Sequence, residues 1–134
     1  MFKLSNNSLK HLEGVDPKII SICELAITMT NVDFGIPSTG GLRTTADQAK
    51  LFADGKSRAD GVKHKSYHQS GMAFDVYAYV NGNASWEQEH LAMVAVAMLQ
   101  AASALQIQLE SGTLWTPKAG SFYGWDMAHY QLVE

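Results

Sequence analysis

The chain has 134 residues, 46% of them hydrophobic and 17% charged, which suits one compact domain and excludes a disordered or fibrous chain. Its net charge of −3 gives none of the basic excess expected of a protein that wraps nucleic acid. A single cysteine, Cys23, excludes an internal disulfide framework and a cysteine-rich zinc site, so any metal must be held by carboxylates and by the five histidines His11, His64, His68, His90 and His129.

Met1 to Asn7 contains no apolar signal-peptide core, which predicts synthesis in a cytoplasm. Ser8 to Gly14 reads as a short helical turn. Asp16-Pro17 has the form of an N-cap followed by proline at the first helical position, and a helix to about Thr30 is predicted. Its Ile19, Ile22, Cys23, Ala26 and Met29 fall on one face, making Cys23 a packing residue. Val32 to Ile36 reads as a short strand ended by Pro37. Thr45-Ala46-Asp47-Gln48 has the form of a capping box with Thr45 at the N-cap, opening a helix that stops near Asp54-Gly55. Arg43 lies just before it.

Lys56 to Tyr67 reads as a solvated, mobile loop, with Lys56, Arg58, Lys63 and Lys65 set against the single acid Asp60. From Ala73 to Val80 apolar and polar residues alternate: Phe74, Val76, Ala78 and Val80 on one side of a strand, Asp75, Tyr77 and Tyr79 on the other. Asn81-Gly82 ends it. Ser85-Trp86-Glu87-Gln88 reads as a second capping box, opening an apolar helix to about Leu105. The uncharged stretch Leu91 to Leu109 is interrupted by Gln100, Ser103, Gln106 and Gln108, so a core helix buried against a sheet is expected rather than a membrane span. Ile107 to Glu110 and His129 to Val133 are the last predicted strands, separated by a turn at Ser111-Gly112 and a loop at Pro117 to Gly120. The expectation is an α+β fold: one domain over residues 1–134, with a small, mainly antiparallel sheet packed with about three helices.

Asp75 is the odd residue of its strand. A carboxylate among apolar and aromatic neighbours needs a cation, a metal or several donors. Zinc would satisfy it with imidazole partners, and His68 is close in sequence, separated from it by Gly71, which allows a sharp turn. At the other end of the chain, His129 in a strand shares a face with Gln131, while Tyr130 and Leu132 point away. Two histidines and one carboxylate make the three-ligand set of a catalytic zinc site, leaving Asp126 as a general base. His64 and His68 are four apart, but Gly61, Lys65 and Ser66 argue for a loop and no glutamate follows His64, so His64 is read as a non-ligand. His11 and His90 are read as surface residues. Trp115, Phe122, Tyr123 and Trp125 are read as core or cleft wall, because no basic groove accompanies them as a nucleic-acid platform would require.

The ordered pattern Ser66-x-His68-x-x-Gly71-x-Ala73-x-Asp75, followed by Asp126-x-x-His129, resembles the zinc D-alanyl-D-alanine carboxypeptidase superfamily of VanY-like peptidases. Gly41-Leu42-Arg43-Thr44-Thr45-Ala46-Asp47-Gln48 is similar to that superfamily's arginine segment. The run Val80 to Trp86 and the small size are most similar to phage L-alanyl-D-glutamate endopeptidase endolysins. The resemblance covers about Val32 to Val133. It implies zinc ligands at His68, Asp75 and His129, an acid/base at Asp126, substrate stabilisation by Arg43, and substrate-side support from Gln48 and Ser66. Tyr77, on Asp75's face, is expected to line the substrate groove. One departure stands out: those enzymes commonly carry Gly-x-Asp-Trp before the last motif, where this chain has Gly112-Thr113-Leu114-Trp115.

The resemblance implies a one-zinc peptidoglycan hydrolase cutting the L-alanyl-D-glutamate bond of murein stem peptides. A D-alanyl-D-alanine carboxypeptidase uses the same chemistry and is the runner-up, and a zinc-holding module that binds the wall without cleaving is the competing class. The four proposed chemical residues all being present argues against the last. Expected partners are a stem peptide and neither nucleic acid nor a stably inserted membrane; a monomer acting on the cell wall is expected, as for a phage or prophage endolysin. Docking of the basic loop on the anionic wall is a second reading of that loop, with the solvated-surface reading preferred.

Overall fold

The computed structural model describes residues 1–133. A short helix α1 (Asn6–His11) precedes α2 (Pro17–Met29), whose first turn is capped by the Asp16 carboxylate accepting from the Lys18 N–H at 2.9 Å. Pro17 lies in that first turn, where no intrahelical donor is needed. Next come β1 (Asp33–Gly35) and α3 (Thr45–Ala53). The N-cap of α3 is Thr44, one residue earlier than the sequence pattern predicts, its hydroxyl accepting from Asp47 N–H at 3.0 Å. Gln48 is thereby released from capping and turns inward.

The predicted strand from Ala73 to Val80 is two strands. β2 (Ala73–Asp75) and β3 (Tyr77–Val80) meet at buried Val76, whose N–H reaches the Ala128 carbonyl at 2.9 Å, and they enter different sheets. β3 lies between β1 and β4 (Asn83–Ser85), and β2 pairs with β6 (His129–Leu132), which also pairs with β5 (Leu109–Ser111). All pairings are antiparallel. The expected single sheet is therefore two three-stranded sheets, and the α+β class stands. Alternation continues unbroken across Val76 in the sequence; which sheet each half joins is set by partners far along the chain. Asn81 and Gly82, both at positive φ, form the two-residue turn of the β3–β4 hairpin.

α4 (Gln88–Ala104) begins at Glu87 rather than Ser85. The Ser85 hydroxyl accepts from the N–H of Glu87, the N-cap residue, and bonds His90 Nδ1 at 2.7 Å, so it braces the helix start from outside without capping it, and His90 is partly buried. α4 packs chiefly on α2, with lesser contacts to β3 and β5, so its main cover is a helix rather than the predicted sheet. Val94, Met98 and Ala101 meet Ile19, Ile22, Cys23 and Phe34 in one continuous core, while Met93 and Val96 stay exposed on the uncovered face. His11 is half-buried too, its Nδ1 meeting the Ile36 carbonyl at 2.6 Å. Phe122 is 97% exposed and belongs to neither core nor cleft wall. Among the described residues no helix is long and apolar enough to cross a membrane.

Candidate metal centre

The β2–β6 register sets Asp75 opposite His129. His68 arrives from a 3₁₀ turn, Tyr67–Ser70, capped at one end by the Ser66 hydroxyl, which accepts from the His68 N–H at 3.2 Å. The turn closes at Gly71, whose φ of 74° is open to glycine and strained for other residues. Three ligand atoms converge: His68 Nε2 and His129 Nδ1 are 3.3 Å apart, and Asp75 Oδ1 lies 3.3 Å from the first and 3.2 Å from the second.

The outer nitrogens decide what can sit between them. His68 Nδ1 faces the Gly41 carbonyl at 3.0 Å, an acceptor only, so Nδ1 carries the hydrogen and Nε2 presents a lone pair. His129 Nε2 faces Gln131 Oε1 at 2.8 Å, and the Gln131 amide is oriented by donating to Glu110 at 3.4 Å, so His129 Nδ1 also presents a lone pair. Two lone pairs and a carboxylate oxygen aimed at one point call for a cation. Tetrahedral zinc, with bonds of about 2.0–2.2 Å, sets neighbouring ligand atoms about 3.3–3.6 Å apart, in line with the observed spacing. The donor set fits the metal. When no ion takes the His129 lone pair, Nδ1 can carry a proton and donate it to Asp75. Burial opposes the charge, but this hydrogen bond and the attraction of Asp75 outweigh it and hold the His129 pKa above the ordinary value. Burial likewise works against the Asp75 carboxylate, and the two imidazoles overcome it, keeping the group ionised far below the usual range.

The cluster lies at the base of a cleft of about 470 Å³ whose lining includes Arg43, Arg58, Ser66, Trp115, Trp125 and Asp126. Burial, with the Asp75 charge adding to it, raises the pKa of Asp126 against the lowering pull of His129, His68 and Arg43. Asp126 is fixed by its backbone: its carbonyl accepts from the His129 N–H at 3.2 Å and lies directly against Gly112, where a Cβ would collide with it. Leu114, where the chain departs from the pattern it resembles, is 74% exposed.

The expected site residues separate into groups. Arg43 lines the cleft, but its fork is largely committed: NH2 donates to Asp75 Oδ2 at 2.8 Å, NH1 to Gln48 Oε1 at 3.1 Å and Nε to the Thr39 carbonyl at 2.8 Å. Gln48 is fully buried and cannot touch a substrate; its amide also holds Ser57 Oγ at 2.7 Å and the Ala59 carbonyl at 2.8 Å. Tyr77 lies outside the cleft, since the sheet change at Val76 carries it to the Trp86 ring, 6.2 Å between centroids. His64 is an exposed non-ligand. Residues that sequence reasoning missed are Lys118 on the cleft wall and the carbonyls of Thr39 and Gly41, which as backbone atoms leave no mark in residue type.

This is a metallopeptidase-type site on a small α+β scaffold, and comparison with known proteins places it further. A model of the phage L-alanyl-D-glutamate peptidase family matches residues 1–132. The L-alanyl-D-glutamate peptidase of Escherichia phage T5 is 32% identical over 139 residues, with 98% of each chain covered. The chain belongs to the phage L-alanyl-D-glutamate peptidase family. Among solved structures it is similar to the L-Ala D-Glu endopeptidase ChiX of Serratia marcescens, with a TM-score of 0.80 and 31% identity over 98% of this chain and 90% of that one. DacB from Streptococcus pneumoniae D39 (TM-score 0.55, 20% identity, 92% and 68% covered) and the LD-carboxypeptidase LdcB (0.54, 18%, 92% and 67%) share the fold. Of the two bonds left open by the sequence, family membership selects the L-alanyl-D-glutamate bond over D-alanyl-D-alanine.

Proposed function

We propose that this phage-type L-alanyl-D-glutamate peptidase, which acts on the stem peptides of peptidoglycan, works as a single-zinc hydrolase whose whole catalytic unit is this one domain. His68, Asp75 and His129 hold the ion, Asp126 moves the proton, and Arg43 fixes the carboxylate ligand. The observation that carries this reading is the convergence of two imidazole lone pairs and a carboxylate oxygen at 3.2–3.3 Å, each imidazole oriented from behind.

A zinc ion held by His68, Asp75 and His129 would supply a Lewis acid for the scissile carbonyl and would lower the pKa of water toward about 7. Asp126 accepts the proton of the attacking water on a carboxylate oxygen as the C–O bond forms. It returns that proton to the D-glutamate nitrogen as the C–N bond breaks, acting as base and then as acid. Arg43 holds Asp75 in place through their 2.8 Å ion pair, and its two uncommitted N–H groups are available to oxygen that develops charge. Ser66 and Gln48 act one step back, Ser66 by capping the turn that presents His68 and Gln48 by gripping Arg43. Its place of action is the cell wall, where the stem peptides lie.

A chelator should remove activity and zinc should restore it. Asp126→Asn should keep one zinc while losing roughly a hundredfold or more in turnover. Mass spectrometry of digested muropeptides should find new D-glutamate amino termini. Full lytic activity in metal-free His68→Ala protein would contradict the assignment.

A further inference from the structure

We infer that Arg58, held over Trp125 at the cleft wall, is a specificity-determining receptor for a substrate carboxylate. The inference rests on the function proposed above and names the group by which that cleft selects its peptide.

The loop carrying Arg58 is built rather than loose. Buried Gln48 donates to Ser57 and Ala59 on either side of Arg58, Gln69 donates to the Gly61 carbonyl at 2.9 Å, and Asp60 Oδ1 accepts from the N–H groups of Val62, Lys63 and His64. The loop's cations are thereby sorted. Lys56 and Arg58 line the cleft, whereas Lys63 and Lys65 do not.

The Arg58 guanidinium carbon lies 4.8 Å from the centre of the Trp125 ring. A planar cation resting on an indole face keeps its edge N–H groups free to bond a carboxylate, and the ring limits the freedom lost when it does so. Trp125 packs on Trp115 at 5.1 Å and Trp115 on His129 at 5.3 Å, so an aromatic wall runs from the metal ligands to Arg58. Among the described residues Arg58 has no hydrogen-bonding or ion-pair partner, and neither Lys56 nor Lys118 is ion-paired.

The charges around the cleft point the same way. Arg43, Lys56, Arg58 and Lys118 line it against two acids, Asp75 and Asp126, although the whole chain carries −3. Asp75 is already matched by Arg43. Arg43 has committed three of its five N–H groups to protein acceptors, whereas the Arg58 fork is wholly open to a ligand. An L-alanyl-D-glutamate stem peptide offers carboxylates beyond the scissile bond: the D-glutamate α-carboxylate and those of the residues that follow.

The test uses the zinc-loaded full chain and three synthetic stem peptides: the parent, one with the D-glutamate α-carboxylate amidated, and one with the later carboxylates amidated. Wild type should lose roughly tenfold in kcat/KM on one amidated peptide. Arg58→Gln should lose a similar factor on the parent, mainly through KM, and nothing further on that same peptide. Arg58→Lys should fall between, and Lys63→Gln should match wild type. The peptide on which the two losses merge identifies the carboxylate. Arg58→Gln behaving as wild type on the parent, or losing the same factor on all three peptides, overturns the inference alone. Wild type cleaving none of the peptides at the alanyl-glutamate bond overturns the proposed function as well.

Discussion

His129 meets three groups at once, with Asp75 and His68 at Nδ1 and Gln131 at Nε2. The attraction of Asp75 that raises its pKa against burial also makes protons stronger competitors with a metal for the imidazole lone pair. An imidazole must be unprotonated to ligate, so apparent zinc affinity should fall as pH drops through the raised His129 pKa, beginning above the ordinary value of about 6.5. The expected slope is up to tenfold per pH unit for each proton displaced, read from competition with a chromophoric chelator at several pH values; affinity unchanged between pH 7.5 and 5.5 would contradict it. The cluster of His68, Asp75 and His129 was legible in the sequence, because a carboxylate in an apolar strand demands a partner and the ordered motifs supply the two histidines. Gln48 was not, since glutamine three residues after threonine fits a capping box, and only contacts to Ser57 and Ala59, many residues away, assign it to the buried clamp on Arg43.

Among the elements, the 3₁₀ turn Gly112–Leu114 sets the position of Asp126, the proposed acid/base, without contributing a side chain to it. Asp126's carbonyl lies where a Cβ of residue 112 would be, so Gly112→Ala must push apart the turn and the segment leading into β6. A stability loss of about 1–3 kcal/mol is expected in urea unfolding, with turnover falling further than zinc content, because all three ligands lie outside the turn. Activity and urea midpoint both matching wild type would show that the turn does not position Asp126. Helix α2 and strand β6 could be read from Asp16-Pro17 and from the alternation around Tyr130, both local signals. The division of the Ala73–Val80 segment could not: its alternation is regular, and the sheet change at Val76 depends on β1 and β6, which lie far away in the chain.

For the whole molecule, an ion held by His68, Asp75 and His129 ties together residues 61 positions apart. Anything bound by the folded state alone stabilises it, by about 2.7 kcal/mol at free metal a hundredfold above its dissociation constant. Zinc should therefore raise Tm by several degrees in wild type and leave His68→Ala nearly unmoved; equal shifts in both would mean that the stabilising metal sits elsewhere.

Strand order has a further consequence. β6 is the middle strand of its sheet, and β2 and β5 touch only through it. The β3–β4 hairpin closes over two residues, whereas β2 meets β6 across a separation of 54. Loop-closure entropy makes such distant pairings slow to form. Secondary structure and part of the core are therefore expected before His129 reaches Asp75, so on refolding peptide cleavage should return after the far-UV helical signal.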